Sequence, residues 1–170
     1  EDVTDRLIAI AGVFLESVDV PAAALEDITF TGSLANLNWT KFSDIDLHLI
    51  IDFDHIDDNT ELVREFFSAK TALWNRIHNI EIYNFEVELY VQNIKEPHYS
   101  SGVYSIRNNK WLSKPDPMSI DIKASPENLK RKARSFVDMI ERVDDLFMDQ
   151  EYAEAHDASK KLMEKIKKYR

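Results

Sequence analysis

The sequence predicts an α+β protein with a helical hairpin at its C-terminal end. Two kinds of pattern carry that reading. Apolar residues recur at helical spacing in four segments, and three others alternate apolar with polar residues in the manner of half-buried strands.

Val3, Leu7, Ile8, Ala11, Phe14, Leu15 and Val18 lie at helical spacing and predict an opening amphipathic helix that ends before Pro21. "DITFTGS" reads as a short strand running into a glycine turn, and "LANLNWTKF" as a short helix or loop. "SDIDLHLIIDF" is a longer strand whose apolar half is Ile45, Leu47, Leu49 and Ile51. After the acidic connection "DHIDDNT", a second helix is expected, with Leu62, Val63, Phe66, Ala69, Leu73, Trp74 and Ile77 as its apolar stripe and Asn59 or Thr60 as its cap. "YNFEVELYVQ" alternates strictly, with Phe85, Val87, Leu89 and Val91 on one face and Glu86, Glu88 and Tyr90 on the other. "GVYSIRNNKWLSKP" predicts a hairpin turning at Asn108 and Asn109. Ser125 and Pro126 mark the start of a long helix, as cap and first helical residue, and "EYAEAHDASKKLMEKIKKYR" predicts the helix that folds back on it.

The 170 residues are 44% hydrophobic, enough for a packed core, and contain no cysteine, so neither a disulfide framework nor a thiolate metal site is expected. No apolar run reaches the ~20 residues needed to span a bilayer. A cytoplasmic protein without membrane association is expected. Charge is uneven. Residues 1–121, read as the core domain, hold 9 basic and 21 acidic side chains; residues 122–170, read as the helical hairpin, hold 12 and 10. An acidic body argues against binding long nucleic acid, which requires many Lys and Arg to neutralise phosphates. It does not argue against a nucleotide delivered with a divalent metal.

Asp44 and Asp46 alternate with apolar residues, so in a strand they share a face about 7 Å apart along the chain. Such carboxylates repel each other unless a cation lies between them. Mg²⁺ fits, being hard and often held by one or two carboxylates plus substrate phosphates. "FEVELYV" can supply a third carboxylate, which would complete the cage or help deprotonate a hydroxyl. Gly32 permits a close approach that a Cβ would obstruct, amides of the following turn can bind phosphate, and Ser33 can add its hydroxyl.

This arrangement resembles the nucleotidyltransferase superfamily that includes DNA polymerase β, the aminoglycoside nucleotidyltransferases and the minimal nucleotidyltransferases of toxin–antitoxin pairs. The matching residues are Phe30 near the strand end, Gly32, Ser33, ten intervening residues, then Asp44, Ile45 and Asp46, with Ser43 before the first acid as in many members. "VEL" resembles the third-acid strand of the aminoglycoside enzymes and points to Glu88, with Glu86 on the same face as its rival. Residues 27–92 carry the resemblance; "LANLNW" departs from the small-residue, arginine, glycine sequence of many minimal members.

The resemblance implies a mixed sheet with helices packed on one side. It also implies an enzyme that moves a nucleoside monophosphate from a nucleoside triphosphate to an acceptor hydroxyl and releases pyrophosphate. Asp44, Asp46 and Glu88 would hold Mg²⁺ or Mn²⁺, and Gly32, Ser33, Ser43 and Lys41 would hold the phosphates. Two alternatives stand beside it: a non-catalytic copy of the fold acting as an antitoxin-like interaction protein, with its partner on the C-terminal helices, and a polynucleotide terminal transferase.

Other polar clusters have plainer readings. The acidic residues from Asp52 to Glu61 fail the calcium-loop spacing, because Asp57 stands where glycine is required. His48 is expected as a hydrogen-bonded, half-buried histidine near Tyr90. Asn38, Trp39 and Lys41 can either touch phosphates or base, or fill the spacer loop. His98, Ser100, Ser101 and Arg107 can line an acceptor cleft or serve ordinary turns. Lys130, Arg131, Lys132 and Arg134 can face the triphosphate from the C-terminal helices, but read more simply as a solvated helix face.

Overall fold

The computed structural model describes residues 2–40, 43–116 and 126–168. Two of the expected features, Lys41 and the cap Ser125, lie outside the described residues. The chain divides into two compact units, Glu1–Ile120 and Asp121–Arg170.

The first unit opens with helix α1 (Val3–Ser17), followed by strand β1 (Leu25–Thr31), the single turn α2 (Gly32–Ala35) and strand β2 (Ile45–Ile51). Helix α3 (Thr60–Ile77) leads into β3 (Glu81–Ile82) and β4 (Phe85–Asn93), and β5 (Val103–Ser105) and β6 (Lys110–Ser113) form the expected hairpin. Asn109 adopts φ +51 in its turn. The six strands form one mixed sheet in the order β3-β4-β2-β1-β5-β6. β1 is antiparallel to β2 and to β5, while β2 and β4 are parallel, joined through α3.

Alternation in the strands sets the core. Leu47, Leu49 and Ile51 of β2 and Leu89 of β4 are fully buried against Ala11 and Phe14 of α1 and Phe67 of α3. Phe14 meets Trp74 edge to face at 5.5 Å, which ties the two helices together over the apolar face. Asn59 caps α3, its side chain accepting from Leu62 N at 3.2 Å.

The buried stripe of α3 differs from the expected one. Val63, Phe67, Thr71 and Trp74 face the sheet, whereas Leu62, Phe66, Leu73 and Ile77 are 38–62% exposed. The helix carries two adjacent apolar stripes, and the sheet covers one. Thr71 is tolerated inside because its hydroxyl donates to Phe67 O at 2.9 Å.

β4 and β5 run parallel, yet β2 and β1 separate them, so residues 94–102 form a strap across the sheet. Gln92 Nε2 donates to the carbonyls of Glu96 and Pro97 at 3.3 Å each. At the far end Asn36 Oδ1 accepts from Ser100 Oγ at 2.8 Å, Ser101 Oγ at 3.0 Å and Gly102 N at 2.6 Å. Gly102 sits so close to α2 that a Cβ there would lie 2.2 Å from Ala35 O. Gln92 belongs to the sheet face opposite α1 and α3, so the strap runs over that face, where Thr29, His48 and Ser105 are buried.

In the second unit, α4 (Pro126–Met148) and α5 (Tyr152–Lys168) pack as a helical hairpin. Gln150 turns the chain with φ +64, and Glu151 N donates to Leu146 O at 2.9 Å, closing α4 in a Schellman-type cap.

Candidate functional site

The polar side chains of the sheet gather on the face opposite the helices, in two rows set by register. Thr31, Asp46 and Glu88 are paired across β1, β2 and β4; Thr29, His48 and Tyr90 are paired one step further along. Glu86 is not level with Asp46. It precedes the first β2–β4 pair, Ile45 with Val87, and pairs on its other side with Glu81.

Asp46 is 7% exposed, and Gly32 makes room for it. With φ +78, Gly32 turns the chain from β1 into α2, and a Cβ there would lie 1.7 Å from Asp46 Oδ2. Both features require glycine. The spacer then returns toward β2 through hydroxyl contacts: Ser33 Oγ lies 2.8 Å from Ser43 Oγ, which also accepts from Thr40 N at 2.9 Å. Asp44 follows directly, half-buried, one residue before β2. Gly32, Ser33, Ser43, Asp44, Asp46 and Glu88 therefore converge on one end of the β1–β2–β4 sheet. Trp39, in the spacer, is 56% exposed and stands edge-on to Phe85 at 6.4 Å.

Glu88 has a partner that sequence reasoning did not assign. Tyr90 O–H donates to Glu88 Oε2 at 2.6 Å, a charge-assisted bond that orients the carboxylate. The signal available was their separation of two residues on one strand face. His48, expected half-buried, is 7% exposed, with its ring 5.1 Å from that of Tyr90. Gln92 donates its amide nitrogen to the strap, which leaves Oε1 facing His48 Nδ1 at 3.1 Å, so Nδ1 carries the proton. His98 lies in the strap, where desolvation lowers its pKa against an opposing pull from Asp27. Ser100 and Ser101 are engaged by Asn36, and Arg107 donates to the carbonyls of Leu25 and Glu26.

The donor set suits a hard cation. Asp46 and Glu88 are lateral neighbours at the ~4.8 Å spacing of paired strands, and their carboxylates are the hard oxygen ligands that such a cation prefers. Among the described residues, no three acidic or imidazole groups are already gathered as a metal cage. Among the same residues, no helix is long and apolar enough to cross a membrane. A comparison with protein-family models finds no match, and neither does one with curated proteins.

Proposed function

We propose that the protein is a nucleotidyltransferase that moves a nucleoside monophosphate from a nucleoside triphosphate to an acceptor hydroxyl. The observation that carries this reading is the register pair Asp46–Glu88, set beside the Gly32–Ser33 turn that makes room for the Asp46 carboxylate. Asp44, Asp46 and Glu88 would hold Mg²⁺ or Mn²⁺, which when bound offsets the charge that develops on the α-phosphate and the leaving pyrophosphate.

The remaining work falls to the chain itself. The acceptor oxygen forms the new bond to the α-phosphorus while the bond to pyrophosphate breaks, and the hydroxyl proton passes to a carboxylate, for which Glu88 is the candidate. Tyr90 holds Glu88 Oε2 and so orients the carboxylate, whether it completes the metal site or takes the proton. Ser33, Ser43 and the amides at the start of α2 form the phosphate side of the site, and the Ser33–Ser43 contact keeps the two ends of the spacer together.

A second reading, a fold kept as an interaction surface with its partner on the C-terminal helices, is favoured by the exposed apolar residues Val137, Ile140 and Phe147 of α4. A thermal-shift titration separates the two. An enzyme with ligand at about 100 times its Kd should gain about 2.7 kcal/mol, but only when nucleoside triphosphate and Mg²⁺ are both present. An interaction protein should respond to neither.

A further inference from the structure

The second unit has a charge and surface pattern that the proposed activity does not use. Phe136, Met139, Val143 and Leu146 of α4 are half-buried on the side where α5 presents the buried Ala155 and the half-buried Leu162. About 100° around α4 lies a second stripe, Ala133, Val137, Ile140 and Phe147, broken by Asp144 near its turn end, with Val137 at 50%, Ile140 at 53% and Phe147 at 58% exposure. On α5 the matching offset holds Tyr152, Met163 and Ile166, which are 58%, 51% and 40% exposed. Because the helices are antiparallel, the two offsets fall on the same side of the hairpin, forming one face that is apolar except for Asp144, His156 and Ser159. Phe147 and Tyr152 close its turn end, with ring centroids 5.4 Å apart.

Charge is segregated along the same hairpin. The turn end, residues 137–159, contains eight acidic residues and one arginine; the open end, residues 126–136 and 160–168, contains nine basic and two acidic residues. Within one hairpin this places like charge beside like charge on both helices. Two such hairpins docked head to tail would set each acidic end against a basic end.

We propose that this face is an interface between two copies of the chain, joined as an antiparallel four-helix bundle around a two-fold axis. The apolar stripes form its core, and the opposed charges fix its direction, since a parallel arrangement would stack acidic end on acidic end. A two-fold axis satisfies both ends with one surface.

Sedimentation equilibrium on the full chain tests this. A species of twice 19.8 kDa is expected. The double variant Val137→Glu/Ile140→Glu should be monomeric, with unchanged circular dichroism. A native chain that stays monomeric up to about 100 μM, weaker than a stable dimer interface allows, overturns the proposal.

A charge-swap pair tests direction without touching the apolar face. Glu141→Lys/Asp145→Lys makes the turn end less acidic, and Lys130→Glu/Arg134→Glu makes the open end less basic. Each variant alone should dimerise on the order of tenfold more weakly, and an equimolar mixture should regain mixed dimers. A mixture no tighter than its components would overturn the antiparallel arrangement.

Discussion

The carboxylate of Asp46 occupies the space that a side chain at position 32 would need: a Cβ on Gly32 would lie 1.7 Å from Asp46 Oδ2 and 2.6 Å from its Cγ. The glycine of the Gly-Ser pair and the second aspartate of "DID" are thus parts of one packed unit, fourteen positions apart in the chain.

Gly32→Ala should therefore destabilise the first unit by about 2–4 kcal/mol, through the left-handed backbone and the displaced carboxylate together. Denaturant titration checks this. In an Asp46→Ala background, which removes the two shortest contacts and leaves the backbone strain and a 3.1 Å approach to Cβ of residue 46, the same substitution should cost less, so the double-mutant cycle should be non-additive.

Tyr90→Phe should leave the melting temperature within a few degrees of native and weaken Mn²⁺ binding by about tenfold, the usual consequence of losing a partner that orients a ligating carboxylate. Isothermal titration with Mn²⁺ checks it. Unchanged affinity would remove Tyr90 from the account, while no binding by the native chain would remove the metal site itself.

Asn36→Ala should free the strap. One side-chain oxygen accepts from Ser100, Ser101 and Gly102, so its loss should cost about 1–3 kcal/mol and speed hydrogen exchange at Gly102, with amides of α1 and α3 retaining their protection.

His98 gives a pH signature of defined sign. Its folded pKa is lowered by desolvation below the ordinary histidine value of 6.5, so the unfolded chain takes up a proton that the folded chain resists. This contribution to stability is complete above 6.5 and is lost as pH falls through and below that value. His98→Gln should flatten the stability profile in that window, as followed by urea midpoints.

The parts of this structure readable in advance were those governed by short periods. Alternation in "FEVELYV" predicted the faces of β4, and the Gly-Ser to Asp-Ile-Asp spacing singled out residues that converge at one end of the sheet. The face buried by α3 was not readable, because Leu62 and Phe66 are as apolar as Val63 and Phe67 and only the position of the sheet chooses between them. Nor was the partner of Gly32: sequence shows that a Cβ is absent, not which atom fills its place. Asn36 gave no signal either, since its three donors lie 64 to 66 positions away across the strap.

The most direct test of the central claim is label transfer. The protein is incubated with each α-labelled nucleoside triphosphate, with and without Mg²⁺ and cell extract, beside the Asp44→Asn/Asp46→Asn variant. Mg²⁺-dependent transfer of label by the native chain alone is the predicted result. Equal transfer by the variant, or none by the native chain under any of these conditions, would contradict it.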